Sequence, residues 1–88
     1  MSELKLLGVV QDMSHDGKLI VKSRFAPMKG SIVRDNVKAR VGKVVRVFGP
    51  VRSPYVAVQP EEEMKTLAIL GREVYIEEGD DGKGKRGN

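Results

Sequence analysis

The apolar residues of this chain fall into short runs rich in β-branched side chains, and this pattern limits the fold more than any other feature. Six such runs are separated by turn-forming residues, at 4–10, 18–22, 31–34, 38–48, 55–58 and 72–78. Only residues 61–70 have helical character, with acidic residues in the first turn and Gly71 as a stop. The pattern predicts an all-β fold with at most one short helix.

The runs also predict local geometry. The first two are joined by residues 12–17, which end in Asp16-Gly17, a pair that favours a tight turn, so we expect an antiparallel hairpin. In the run 38–48, period-two alternation places four side chains on the buried face: Ala39, Val41, Val45 and Val47. Lys43 breaks this alternation and indicates a bulge or bend at Gly42.

Three further segments carry expectations about burial. In the predicted helix, one side is apolar and consists of Met64, Leu67 and Ala68. In the last run, Val74 and Ile76 share one face and Tyr75 lies on the other. The connection 24–30 contains three apolar residues that we expect to pack on the barrel: Phe25, Ala26 and Met28.

Six short strands with tight connections predict a small six-stranded closed antiparallel barrel, because closure removes the exposed edges of a small sheet. A chain of 88 residues forms one such domain, which we place at residues 1–78. Residues 79–88 hold four glycines, five charged residues and no apolar side chain. Because nothing there can offset the entropy of ordering, we expect a flexible, disordered tail.

The residue types that the chain lacks exclude several classes of function. The chain has no cysteine and one histidine, His15, so we predict no disulfide, no metal and no cofactor. No apolar run approaches the ~20 residues of a membrane-spanning helix. The N-terminal apolar stretch is too short for a signal peptide. We therefore predict a cytoplasmic protein with no membrane partner.

No arrangement of catalytic residues is convincing. Ser14, His15 and Asp16 could be proposed as a hydrolytic triad, but they are adjacent in a predicted turn, whereas triads are assembled from distant segments. The glutamates at 61–63 could bind a cation, although support of a helix start is the simpler interpretation. The chain lacks the glycine-rich phosphate-binding patterns. We predict that the protein is not an enzyme.

Positive charge concentrates around one strand and the loop that follows it. The net charge is +4 and the sequence pI is near 9.6, which favours anionic partners such as RNA. The candidates for phosphate contacts are the basic residues of this region: Lys38, Arg40, Lys43, Arg46 and Arg52. Aromatic side chains suited to base stacking are few, so we do not expect base-specific reading of RNA.

The segment 47–58 joins two strands by a stiff loop that contains Gly49, Pro50 and Pro54. Prolines preset the backbone and reduce the entropy lost on docking. Val51 and Tyr55 are therefore expected to be exposed or half-exposed anchors for a protein partner. The pattern leaves open whether Phe48 belongs to this surface or to the core.

Residues 42–58, GKVVRVFGPVRSPYVAV, resemble the central motif of the glycine-arginine-rich protein family of box H/ACA ribonucleoproteins, in its short archaeal form. The segments LGVV at 7–10 and GKLIV at 17–21 resemble the first hairpin of that family, and GREVYI at 71–76 resembles its closing strand. The resemblance spans nearly the whole predicted barrel.

This resemblance implies a six-stranded barrel that serves as a non-catalytic regulatory subunit of the guide-RNA-directed pseudouridylation particle. Its main partner would be the TruB-like pseudouridine synthase, and it would promote substrate handling and turnover in rRNA modification. A small zinc-ribbon subunit and a kink-turn-binding protein would belong to the same particle, and contact with the H/ACA guide RNA would be indirect or weak. By carry-over, the synthase-binding residues are Phe48, Gly49, Pro50, Val51, Pro54 and Tyr55.

Two alternatives remain open at this point, and a third lacks support. The chain could be an autonomous RNA-binding barrel, given its basic strand. It could also be the related H/ACA assembly factor, which shares the same core, although the brevity of the chain favours the mature subunit. A barrel from a larger translation factor lacks support, since no second domain is present. The tail has a single arginine, Arg86, so it does not resemble the arginine-rich arms of eukaryotic members.

Overall fold

The short apolar runs form a closed ring of strands in this computed structural model, which describes residues 3–62 and 66–78. Those residues contain six strands and one helix: β1 (Glu3–Met13), β2 (Leu19–Ser23), β3 (Ile32–Arg34), β4 (Arg40–Phe48), β5 (Tyr55–Pro60), α1 (Thr66–Ile69) and β6 (Glu73–Glu78). Every pairing is antiparallel, in the order β1-β2-β5-β4-β3-β6, and β6 returns to β1. The predicted six-stranded closed barrel with a short helix is confirmed.

Small branched side chains fill the barrel. Among the residues whose burial is described, the core cluster has twelve members, eight of them valine: Leu7, Val10, Leu19, Val21, Val33, Val41, Val44, Val56, Val58, Ile69, Val74 and Ile76. A narrow barrel needs compact interior side chains, because its strands leave little space around the axis. The prediction that Val74 and Ile76 share one face is confirmed: both are buried in the core, and Tyr75 is half-buried on the outer face.

The predicted hairpin of β1 and β2 is confirmed, with register pairs such as Val10 and Val21. The amide of Ser14 donates to the carbonyl of Lys18 at 2.8 Å, and the amide of Gly17 donates to the carbonyl of Ser14 at 3.0 Å. Gly17 has a φ of 85°, which a side chain rarely tolerates. This positive φ explains why a glycine ends the turn.

Strand β4 contains two irregularities, of which the sequence predicted one. Opposite β3, pairing moves from Gly42 directly to Arg40, so Val41 is an extra residue, as the break at Lys43 indicated. Opposite β5, pairing moves from Val44 to Arg46 and omits Val45. This second bulge reverses the alternation, so the prediction for this strand was partly wrong. Val44 is fully buried, Val45 is half-buried and Ala39 is exposed.

The helix is shorter than predicted. Residues 63–65 lie outside the described part of the chain, and α1 covers only Thr66–Ile69, not the expected 61–70. Glu61 extends the pairing of β5, since its amide donates to the carbonyl of Val41 at 2.8 Å. Of the predicted apolar face, Leu67 is 75% exposed and Ala68 is exposed, while Met64 lies outside the described residues; Ile69 is the helix residue that joins the core. Gly71, with a φ of 82°, ends the helix as expected.

The connection between β2 and β3 packs on the barrel only in part. Phe25 lies against the core, and the Lys5 ammonium sits 4.2 Å from the centre of its ring. Met28 was expected to pack but is 80% exposed, and Ala26 is exposed as well. The predicted tail at 79–88 lies outside the described residues, and the domain boundary there stays a prediction.

Gly42 tests barrel closure, because the backbones of β4 and β5 approach each other closely at this residue. A Cβ at this position would overlap the Gln59 carbonyl and crowd the Cα of Pro60 on the paired strand. We expect Gly42→Ala to lower the free energy of unfolding by about 3 kcal/mol or more, since backbone atoms cannot rotate away. Chemical denaturation followed by circular dichroism measures the change.

Gly17→Ala is the matched control. No atom lies within 4 Å of a Cβ built there, so only the left-handed φ opposes the substitution. Its expected cost is about 1–2 kcal/mol. Equal losses for the two variants would show that the contact between β4 and β5 does not limit closure.

Candidate functional site

The connection between β4 and β5, residues 49–54, projects from one end of the barrel. Val51 at its tip is 94% exposed, and Pro50 and Arg52 on either side are exposed as well. Gly49 has a φ of 91°, and a Cβ there would come within 3.0 Å of the Tyr55 ring. Only glycine satisfies both conditions, so this residue sets how the chain leaves β4.

The base of this loop is fixed to the end of β2. The amide of Ser23 donates to the carbonyl of Pro54 at 2.9 Å, and Pro54 itself is buried. The Ser53 hydroxyl donates to the carbonyl of Ser23 at 3.4 Å. The Ser23 side chain is 1% exposed and is satisfied by the backbone of Phe25, to which its hydroxyl donates at 2.7 Å. Val51 therefore lies at the tip of a loop whose base is held by hydrogen bonds to Ser23.

Beside the loop, four side chains form a row across the outer face of β2, β5 and β4. We call it the cation–aromatic row, and its order is Lys22, Tyr55, Phe48 and Arg46. The Phe48 and Tyr55 rings stack with centroids 5.7 Å apart and an interplanar angle of 26°. Lys22 Nζ lies 4.8 Å from the Tyr55 centroid, and Arg46 Cζ lies 5.4 Å from the Phe48 centroid.

A cation lies beside each ring of the row. Strand β5 lies between β2 and β4, so Tyr55 has Lys22 on one side and Phe48 on the other. Arg46 lies beside Phe48, two residues before it on the same strand. A nucleobase that stacks on either ring would therefore meet a neighbouring positive charge.

The predicted partner-binding residues come together at this end of the barrel. Phe48 lies on the outer surface and is 36% exposed, which resolves the alternative that it belongs to the core. Tyr55 is half-buried, Gly49 and Pro50 are exposed, and Pro54 is buried at the loop base. Sequence reasoning missed Lys22, which lies 33 residues from Tyr55 along the chain. Its outward position in the second apolar run was the available signal.

The five predicted phosphate contacts do not form one patch. Lys38 has a φ of 69° in the turn before β4, where its carbonyl accepts from Arg34 Nη1 at 3.0 Å. Arg40 Nε pairs with Glu61 Oε2 at 2.8 Å. Arg40 begins β4 and Lys38 lies just before it, so both are at the opposite end of this strand from Phe48.

The other three candidates are exposed and nearer the loop. Lys43 and Arg46 project from the outer face of β4, and Arg52 lies in the loop. Within residues 4–62 and 67–77, whose side chains the structure describes, none of the three has a carboxylate in salt-bridge range. Their charges are therefore available to an anionic partner.

The residues considered as a triad form an ordinary turn. The Ser14 hydroxyl donates to the Asp16 carboxylate and accepts from the amide of Lys18 at 3.0 Å. Lys18 Nζ pairs with Asp16 at 3.2 Å, and His15 is exposed. Glu61, considered as part of a cation site, is paired with Arg40. Among the described side chains, no group of three His, Asp or Glu could hold a metal ion.

The described helix cannot cross a membrane, since it spans four residues.

The turn allows a pH prediction. The hydrogen bond from Ser14, assisted by Lys18, lowers the pKa of Asp16 from its ordinary 3.8. The carboxylate therefore supports the fold above the unfolded-state pKa, and this support is lost as pH falls through the lower folded-state value. We expect Ser14→Ala to raise the pKa of Asp16 toward 3.8 in a carboxyl-carbon NMR titration. An unchanged pKa in Ser14→Ala would assign the shift to Lys18 instead.

Comparison with known proteins agrees with this architecture. Residues 4–82 match the family model described as the Gar1/Naf1 RNA binding region. An uncharacterized protein of Methanothermobacter thermautotrophicus is 35% identical over 76 residues, which cover 83% of each chain. A solved structure of the Gar1 domain of NAf1 has the same fold, with a TM-score of 0.71 and 21% identity over 88% of this chain and 84% of that one.

The family match covers nearly the whole described chain and confirms the resemblance found in the sequence. It ties the chain to H/ACA ribonucleoproteins. The chain belongs to the Gar1/Naf1 family, a family of non-catalytic ribonucleoprotein accessory domains.

Proposed function

We propose that this protein is a regulatory subunit of an H/ACA pseudouridylation particle and binds the TruB-like catalytic subunit through the loop at 49–54 and the cation–aromatic row. The observation that carries the proposal is Val51, an apolar side chain that is 94% exposed at the tip of a loop with a fixed base. An apolar group held in water by a rigid loop is typical of a protein-binding anchor, because docking costs little entropy.

Two features favour a protein partner for this surface. The Phe48 and Tyr55 rings stack on each other and each has a cation beside it, which leaves less ring surface for the base stacking that single-stranded RNA binding uses. The tip of the loop is apolar, and burial of an apolar side chain of this size stabilises a complex by about 1.5–3 kcal/mol. The stacked Phe48 and Tyr55 rings form a surface beside the loop on which the partner can pack.

The proposed mechanism needs no reactive group from this chain. The catalytic subunit would have a mobile element with a substrate-bound and an open state, and contacts of unequal strength with the two states would shift their populations. Val51, Phe48 and Tyr55 would supply these contacts, while Gly49 and Pro54 hold the loop in position. The result would be faster handling of substrate and faster turnover in rRNA modification, with the zinc-ribbon and kink-turn-binding subunits in the same particle.

Val51→Asp tests the proposed interface. A carboxylate at the loop tip would have to be desolvated against an apolar partner surface, so we expect at least about thirtyfold weaker binding to the purified synthase. Calorimetry or surface plasmon resonance measures the affinity. In a reconstituted particle, the same variant should slow multiple-turnover pseudouridylation more than the first turnover.

Val37→Asp is the matched control, because Val37 is 74% exposed in the turn at the opposite end of β4. It should leave synthase affinity unchanged, and neither variant should change the melting temperature, since both positions are exposed. Unchanged affinity for Val51→Asp would contradict the proposed interface, and an equal loss in both variants would indicate a nonspecific charge effect.

A second candidate function is supported by the free cations near the loop. Lys43, Arg46 and Arg52 lie on the exposed surface with no carboxylate partner among the described residues, and the chain carries a net charge of +4. An autonomous RNA-binding barrel would use them for phosphate contacts. The family description as an RNA binding region accords with this alternative.

Salt dependence separates the two functions. Three phosphate contacts would give a slope of about −2 in a plot of log affinity against log salt for single-stranded RNA. Under the main proposal, the isolated chain should bind guide RNA weakly in filter binding, with no affinity near the micromolar range at 150 mM salt. Micromolar or tighter binding that Lys43→Ala and Arg52→Ala weaken would favour the RNA-binding alternative.

A further inference from the structure

A groove of about 220 Å³ lies next to the cation–aromatic row on the outer face of the barrel. Strand pairing explains how it forms, because Ala57 on β5 sits directly between Ile20 on β2 and Arg46 on β4. Larger side chains surround this small residue, and the turn at 14–18 closes one end. The remaining lining comes from Ser14, Asp16, Lys18, Val45 and Phe48.

The bulge at Val45 shapes this groove. Because pairing with β5 omits that residue, its side chain leaves the core and joins the outer lining. Ile20, Val45 and Ala57 then provide an apolar floor, and Phe48 provides one side. This floor suits an aliphatic or aromatic side chain, since it offers apolar contacts and few hydrogen-bonding groups.

Charge on the rim is uneven. Lys18 is already paired with Asp16 at 3.2 Å, and the Ser14 hydroxyl is bonded within the same turn. Arg46 lies over the Phe48 ring and has no carboxylate in salt-bridge range among the described residues. The rim therefore presents one unneutralised guanidinium, which complements a carboxylate of a partner.

We propose that this groove receives an extended segment of the catalytic subunit in which an apolar side chain enters above Ala57 and a neighbouring carboxylate pairs with Arg46. The proposal rests on the proposed function and extends its interface from the loop onto the outer face of β2, β5 and β4. Phe48 belongs to both surfaces, so the groove and the loop can bind one continuous partner.

A protein segment fits this groove better than RNA does. Phosphates would find one free cation, because the Lys18 charge is offset by Asp16. The apolar floor has no group that reads a base edge, and the Phe48 ring already contacts Arg46 and Tyr55. The groove thus matches an apolar anchor flanked by an acid, a combination that fills the pocket and neutralises the rim.

Ala57→Leu tests the groove with the intact chain and the purified synthase. The added atoms would occupy the space above the floor and exclude the anchor, so we expect about tenfold weaker binding. Gln59→Leu is the control, since Gln59 is the next outward residue of β5, is exposed and does not line the groove. It should leave affinity unchanged, and equal melting temperatures for both variants would show that the barrel is intact.

Arg46→Glu gives an independent test in case Ala57→Leu perturbs β5. Reversing this charge should weaken binding at least tenfold at low salt, with a smaller effect at 500 mM salt, because the lost contact is between charges. Arg46→Lys keeps the charge and should recover most of the affinity. Binding of both Arg46 variants at the affinity of the unaltered chain would overturn the role of the guanidinium.

The outcomes separate this inference from the proposed function. If Val51→Asp weakens binding while Ala57→Leu and Arg46→Glu do not, the loop is the interface and the groove is not part of it. If all three variants bind the synthase normally, neither the loop nor the groove is the interface, and if the unaltered chain does not bind the synthase, the proposed function fails. If Ala57→Leu and Arg46→Glu weaken the binding of single-stranded RNA and leave synthase affinity unchanged, the occupant is RNA and the inference is wrong.

Discussion

Close contact between paired backbones is the constraint on which the rest of this structure depends. At Gly8 and Gly42, a Cβ would overlap carbonyl groups of the neighbouring strands, at Lys22 and Gln59. The ring can therefore close tightly, and valine dominates its interior. The aromatic and long charged side chains of β2, β5 and β4, such as Lys22, Tyr55 and Phe48, lie on the outer face. The aromatic rings and the groove are in this sense consequences of a narrow core.

Local patterns were sufficient for much of this fold and insufficient for its irregularities. The hairpin of β1 and β2 and the inward positions of Val74 and Ile76 follow from turn residues and alternation within a few positions. The bulge at Val45 could not be predicted, because it depends on which residue of β5 pairs with Val44. The predicted helix start at Glu61 was wrong for a related reason: its amide donates to the carbonyl of Val41 and its carboxylate pairs with Arg40.

In the candidate site, too, local sequence predicted some features, whereas others depend on contacts between distant segments. Gly49, Pro50 and Pro54 indicated a stiff loop from sequence, and Val51 and Tyr55 were expected to be exposed or half-exposed. The contribution of Lys22 and the burial of Val44 in place of Val45 depend on contacts between distant segments. Phosphate contact by the basic run stays a prediction: charges adjacent in sequence are spread along the full length of β4, and Arg40 is paired with Glu61.

The absence of aromatic side chains from the twelve-residue core has a spectroscopic consequence. The chain has no tryptophan and two tyrosines, and both tyrosines lie on the outer face of the barrel. Its intrinsic ultraviolet fluorescence therefore originates at the surface, with Tyr55 beside the ammonium of Lys22. Emission from this protein reports the surroundings of its outer strands, while far-ultraviolet dichroism reports the barrel. The two signals can separate an event at the surface from loss of the fold without any added label.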